Sequence, residues 1–238
     1  MDFTLIFENI GIYFTGLQNT VVLVSISLVL GLLLAVPLAV LLNYGNNSIR
    51  LPIRAYIYFF RGTPLLVQMF LVYYGFGQFD LIKDSLLWPF FKEAYFCALF
   101  AFTLNTGAYT AEILRGAIKA TNHGEIEAAM AAGMSKLLMI RRIILPSAFR
   151  RALPAYSNEI IFMLHGSALA SVITIVDITG AARIINSRYY SPYEAFVTAA
   201  VFYMTLTFII VFLVKKLEVR WFAHLQPQSN NPAIEAPP

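Results

Sequence analysis

"VVLVSISLVLGLLLAVPLAVLL", Val21 to Leu42, holds no charged residue over its 22 positions. As a helix rising 1.5 Å per residue it reaches about 33 Å, enough to cross a hydrocarbon core of roughly 30 Å. The rest of the chain has the same character. Of 238 residues, 59% are hydrophobic and only 13% charged, with a mean hydropathy of +0.69. An ordinary soluble domain is roughly 25% charged. The composition predicts an all-α integral membrane bundle, with too little polar sequence left for a second, water-facing core.

Charge-free runs recur at Leu17–Asn43, Gly62–Phe79, Ala94–Ala111, Ile160–Val176 and Ala195–Val214. With flanking residues they predict five spans, at about 17–43, 52–77, 94–117, 154–176 and 195–217, within a transmembrane domain of 17–225. Residues 1–16 read as an interfacial segment on the outer surface, or as a lead-in to the first span. Residues 226–238, polar and Pro-rich, read as a disordered tail. Five spans cannot form two equal halves, so an internal repeat is not expected.

Thirteen of the 17 basic residues fall in the 44–61 and 112–154 segments and from Lys215 onward; only Lys83, Lys92, Arg183 and Arg188 lie on the other side. By the positive-inside rule the N-terminus is outside and the C-terminus inside. The net charge of +4 is thus explained by membrane orientation, with lipid and not nucleic acid as the partner. The single Cys97 excludes an intrachain disulfide and reads as a buried free thiol.

One long stretch is unlike the spans: "EAAMAAGMSKLLMIRRIILP", Glu127–Pro146. Asn122 with Glu125 forms a capping-box pattern, Gly133 suits a left-handed helix stop, and Ser135 can cap a second helix running to Pro146. The result is a helix, a sharp turn and a helix within a loop at 120–148. Ala128, Ala129, Ala132 and Gly133 leave the first helix nearly bare, so another backbone can approach it closely. The same composition would also suit a hairpin packed under its own bundle.

A family resemblance favours the docking reading. Glu127-Ala128-Ala129, then Gly133, Ile143, Leu145 and Pro146, resembles the cytoplasmic EAA loop of bacterial ATP-binding-cassette importer permeases. Phe60–Gly75, Asn105–Ile118 and His123–Ser135 are similar to the polar amino-acid permeases, and Ile144–His165 to their M-type members in histidine/lysine/arginine/ornithine importers. The resemblance implies a type I importer permease fold, a heterodimer with a sister permease, two ATPase subunits, a periplasmic amino-acid-binding protein and a bacterial inner-membrane location. It also implies that Glu127, Ala128, Ala129, Gly133, Ile143, Leu145 and Pro146 couple to the ATPase. Self-paired permeases of the family often read Lys-Asp-Ser/Thr-Ser-Leu in the fourth span, where this chain reads His165-Gly166-Ser167-Ala168-Leu169. That departure favours a distinct partner.

No Lys follows a Gly, so a phosphate-holding P-loop is absent; there is no Cys/His cluster with metal spacing. The chain reads as a non-enzymatic translocation subunit without a cofactor of its own, ATP and magnesium belonging to the partner ATPase. An ion-coupled secondary amino-acid transporter and a non-transporting assembly subunit are the alternatives.

Ionisable groups inside spans are default candidates for substrate contact. Glu112 is one, supported by the resemblance of the AYTAE stretch to the family's acidic ligand, although Arg115 at i+3 offers it an ordinary partner. Glu159 has no basic neighbour at i+3 or i+4. Asn158 and His165, seven apart, share a face. Arg61 precedes Gly62-Thr63-Pro64, where the second helix should kink or break; it either assists a substrate carboxylate or snorkels to headgroups. Gln68 and Asn105, in the stretches that carry the resemblance, complete the set. Two carboxylates beside an anion site fit a basic amino acid.

Overall fold

In the computed structural model, which describes residues 4–222, Val21–Leu42 lies inside α2 (Ile10–Tyr44), a helix of 35 residues. The short α1 (Thr4–Glu8) precedes it. The expected interfacial segment at 1–16 is therefore divided, and the first spanning helix already begins at Ile10. Packing explains the extension. Ile6 and Tyr13 are buried, the Tyr13 hydroxyl donates to the Ala195 carbonyl at 2.7 Å, and a Cβ on Gly16 would lie 2.6 Å from the Asp177 carbonyl oxygen. The tail expected to be disordered, 226–238, lies outside the described residues.

α3 (Asn47–Gly62) starts on the Asn46 side chain, which accepts from the Ile49 amide. α4 (Leu65–Phe70) follows and continues through a π-helical turn, Leu71–Gly75, and a 3-10 turn, Phe76–Gln78. The two are bent by 106°, so 52–77 is a bent pair of helices and not one kinked rod. Pro64 has no N–H to give, and it holds Thr63 extended at φ −116°, ψ 145°.

Two short helices, α5 (Asp80–Lys83) and α6 (Trp88–Phe91), lead to α7 (Ala94–Lys119). α7 is central, packing on α2, α3, α4 and α10. Its buried positions are mainly small: Ala98, Ala101, Ala108 and Ala111. Small residues let helices approach closely in lipid, where burial of apolar area gives no separate drive. The tightest approach is at Gly31 of α2, where a Cβ would lie 2.4 Å from Thr106 Cγ2 and 3.2 Å from the Gly107 amide. A Gly31→Leu chain should therefore unfold several degrees below wild type in detergent, since overpacking costs about 1–3 kcal/mol. An unchanged midpoint would mean that α2 can slide off α7 freely.

α8 (His123–Ala131) and α9 (Lys136–Met139) form the predicted turn. The second helix does not stop at Pro146. It passes through a π-helical turn, Ile140–Ile144, into α10 (Leu145–Gly166) and a 3-10 turn, Ser167–Ile173. Pro146 sits in the first turn of α10, where the wider π turn before it leaves its missing N–H harmless. α11 (Ile178–Tyr189) and α12 (Pro192–Phe222) complete the bundle.

Among the described residues, α2 and Pro192–Trp221 are each long and apolar enough to cross a bilayer alone, and two bent pairs are so together: α3 with α4 and its continuation, and Lys136–Ile173 with α11. α7, with 26 residues, reaches about 39 Å. The fold is an all-α membrane bundle.

Candidate functional site

α7 and α10 present their polar residues to each other. Asn105 and Tyr109 are one turn apart on α7, as are Glu159 and Met163 on α10, so each pair shares a face. With Leu65 at the start of α4 and Phe162, they line a cavity of about 340 Å³, within the size range of small-molecule sites. Glu159 is only 6% exposed. The Thr106 hydroxyl donates to its Oε1 at 2.8 Å, and no second donor reaches it among the described residues. A buried carboxylate with one donor is an under-satisfied acceptor facing a void.

Tyr109 closes one side. The Arg61 guanidinium carbon stands 5.2 Å from its ring centroid. Arg61 comes from the last turn of α3, just before the bend, and lines the neighbouring chamber rather than this cavity.

Gln68 and Asn105 are differently employed. The Gln68 amide donates to the Phe60 and Thr63 carbonyls, each at 2.9 Å, and to the Thr63 hydroxyl at 2.7 Å. Asn105 donates to Gln68 Oε1 at 2.9 Å and to the Phe60 carbonyl at 3.2 Å. These bonds take up carbonyls that the α3 terminus leaves open. Gln68 is thus a buried brace for the bend, and Asn105 braces it while lining the cavity.

The structure does not bring the two glutamates together. Glu112 accepts from Arg115 Nε at 2.8 Å and Nη2 at 2.5 Å, the i+3 pairing open from the sequence. It lines a separate cavity of about 170 Å³ with Arg54, Tyr58, Arg61 and Arg115. Three guanidiniums against one carboxylate make that chamber cationic. Asn158 and His165 do share an exposed face of α10, outside both cavities, and His165 Nε2 lies 3.1 Å from the Thr207 hydroxyl.

Thr106 and Tyr109 escaped the sequence reading. The available signal was their proximity to Asn105 within a helix otherwise rich in alanine and phenylalanine.

At the other functional feature, α8 begins on Asn122, whose Oδ1 accepts from Gly124 N at 3.0 Å; the reciprocal bond from Glu125 does not form among the described residues. Gly133 takes φ +73°, its amide donating to the Met130 carbonyl at 2.9 Å. The motif then divides by face. Glu127, Ala128 and Gly133 are exposed, while Ala129 is 2% exposed and packs with Met139, Ile144 and Ala148. Ala129 therefore anchors the helix and is not part of its free surface. Ile143 and Leu145 pack partly buried against the same cluster, and Pro146 is exposed. Arg151 ties this unit to α7: its guanidinium donates to the Ala117 carbonyl at 3.1 Å, to the Thr121 hydroxyl at 2.8 Å and to the Ser147 hydroxyl at 2.7 Å.

At the opposite end, Tyr189, Tyr190 and Tyr193 are exposed beside Arg183 and Arg188.

Comparison with known proteins places the chain in a family. The family described as "Binding-protein-dependent transport system inner membrane component" matches residues 9–222. The chain is 43% identical to the nopaline transport system permease protein NocM of Agrobacterium fabrum over 237 residues, covering 99% of this chain and 98% of the relative. It is 49% identical to the histidine/lysine/arginine/ornithine transport system permease protein HisM of Salmonella typhimurium over 216 residues, or 90% and 92% of the two chains. A crystal structure of an amino acid ABC transporter with histidines superimposes with a TM-score of 0.82 at 34% identity, covering 92% of this chain and 99% of that one. The MetNI methionine ABC transporter in an inward-facing conformation shares the fold, with a TM-score of 0.75 at 17% identity over 89% and 96% of the chains.

Proposed function

The chain belongs to the binding-protein-dependent transport system inner membrane components, and from that premise we propose that it is the permease subunit of an ATP-driven importer of basic amino acids. The observation that carries the substrate reading is Glu159, a buried carboxylate with a single donor on a cavity of about 340 Å³. A guanidinium, ammonium or imidazolium supplies the charge and the donors it lacks. The permeases named above, for nopaline and for histidine, lysine, arginine and ornithine, carry substrates of this class.

Coupling falls to the exposed side of α8, where Glu127, Ala128 and Gly133 form a low ledge for a cleft in an ATPase subunit. ATP and magnesium belong to that partner. The protein sits in a bacterial inner membrane with its N-terminus outside, the orientation that places α8 and most basic residues in the cytoplasm. The tyrosine-rich surface around α11 then faces a substrate-delivering binding protein. The exposed α10 face bearing Asn158, Phe162 and His165 meets a sister permease across the pathway.

The test is uptake of labelled arginine, lysine, histidine and glutamine into liposomes holding this chain, its sister permease and their ATPase, with binding protein added outside and ATP inside. Uptake of the three basic amino acids that stops without ATP is expected. ATP-independent uptake driven by a proton gradient would instead establish an ion-coupled carrier, and uptake confined to glutamine would remove the basic-substrate assignment.

A further inference from the structure

α11 begins where the chain parts from the 3-10 turn before it. Thr174, between the two, is held at φ +74°, ψ 4°, a left-handed conformation that a β-branched residue rarely adopts, and the helical pieces on either side are bent by 44°. The notch there is a cavity of about 450 Å³ whose polar side chains are Ser171, Thr174, Arg183, Ser187 and Arg188. Arg183 reaches back across it, its Nη1 donating to the Ser171 carbonyl at 2.9 Å. Arg188 makes no hydrogen bond or ion pair among the described residues. Asp177 does not neutralise either of them. It is fully buried, and its carboxylate accepts from the Gly180 amide at 2.7 Å and the Tyr203 hydroxyl at 3.0 Å. Two guanidiniums thus line one void without a carboxylate in ion-pair reach among the described residues.

We propose that this cavity is the socket for an acidic side chain of the binding protein, whose carboxylate bridges Arg183 and Arg188 when the two proteins dock. The proposal rests on the reading of the chain as an importer permease with its α11 end outside. Arginine on that side runs against the positive-inside bias, so two in one cavity have a role other than setting orientation. The guanidinium fork matches a carboxylate through paired hydrogen bonds. Around the cavity stand Tyr189, Tyr190 and Tyr193, with Tyr190 88% exposed, and tyrosine and arginine are the residues that dominate protein interfaces. A basic amino acid by itself is a poor occupant, because its own cation would be drawn up against two guanidiniums. The serines and tyrosines likewise suit a wet protein surface better than lipid chains.

The test is the affinity of arginine-loaded binding protein for the permease–ATPase complex in phosphatidylcholine nanodiscs, at low and at physiological salt. Arg183→Met and Arg188→Met keep side-chain length and remove the charges. Each should weaken docking about tenfold, and the double substitution should flatten its salt dependence. Arg188→Lys, which keeps the charge without the fork, should lose less and serves if the methionine variants do not assemble. Arg188→Glu should weaken docking further, and affinity should return when one acidic surface residue of the binding protein, identified by replacing each in turn with lysine, is reversed as well. Undiminished docking of the double variant, or no recovery with any lysine replacement, would overturn the proposal. So would a loss seen only in binding of phosphatidylglycerol, which makes the cavity a headgroup seat, or only in binding of free arginine, which makes it a substrate subsite. A wild-type complex that binds no binding protein at all removes the importer reading itself, whatever the arginines do.

Discussion

Replacement of Glu159 by glutamine is expected to lower uptake of arginine and lysine by about a hundredfold, because removing one member of a buried, hydrogen-bonded charge pair typically costs several kcal/mol. The fold should not suffer. The glutamine carbonyl can still accept from the Thr106 hydroxyl, and a neutral amide is easier to keep 6% exposed than a carboxylate. Glu112→Gln provides the contrast. Its carboxylate is already matched by Arg115 one turn along a half-exposed helix face, where such pairs contribute little, so uptake should fall less than about threefold. Initial rates for both variants at equal permease content decide the matter. A larger loss in Glu112→Gln than in Glu159→Gln would reverse the roles assigned to the two cavities.

Gly133→Val should have a comparable effect by a wholly different route. At φ +73° a Cβ on Gly133 meets no neighbour within 4 Å, so the penalty comes from the backbone. The left-handed conformation costs an L-residue about 1–2 kcal/mol, and more when it is β-branched. The turn that sets α8 against α9 would open, carrying Glu127 and Ala128 out of register with the ATPase. ATP-dependent uptake should drop at least tenfold, and less ATPase should co-purify, while the chain still inserts and remains helical. Gly133→Asn is the control, since asparagine tolerates this conformation. A fully coupled Gly133→Val complex would mean that the turn geometry is irrelevant to docking.

Local rules carried the reading where local chemistry decides. Charge-free runs marked the helices, Asn122 and Ser135 act as caps, and Gly133 adopts the left-handed stop its position called for. The failures lie where distant residues intervene. Pro146 looked like a stop because its proline is visible in the sequence and the preceding π turn is not. Ala129 looked like part of a bare docking surface because its neighbours at 128 and 132 are also alanine, yet the core beneath α8 claims it. Gln68 looked like a ligand because a polar side chain in an apolar span is conspicuous, while the carbonyls it serves, Phe60 and Thr63, become open only through the 106° bend. Glu112 and Glu159 are alike in residue type, and the Arg115 pairing that separates them was open in the sequence while the Thr106 donor was not. The first has its arginine on its own helix, and the second has only a threonine from another.

From Lys136 to Ile173 the backbone stays helical through three changes of pitch, so the base beneath α8 and the Glu159 carboxylate lie on one continuous helical path. The Arg151 clamp to Ala117 and Thr121 lies between them, about 22 Å from Lys136 and about 12 Å from Glu159 at 1.5 Å per residue. Were this path to pivot about that clamp, a displacement imposed at the ledge would arrive at the cavity in the opposite sense, roughly halved in amplitude and raised in force by the same ratio. Mechanical advantage of that kind suits wrenching a bound cation from a carboxylate more than it suits opening a wide gap.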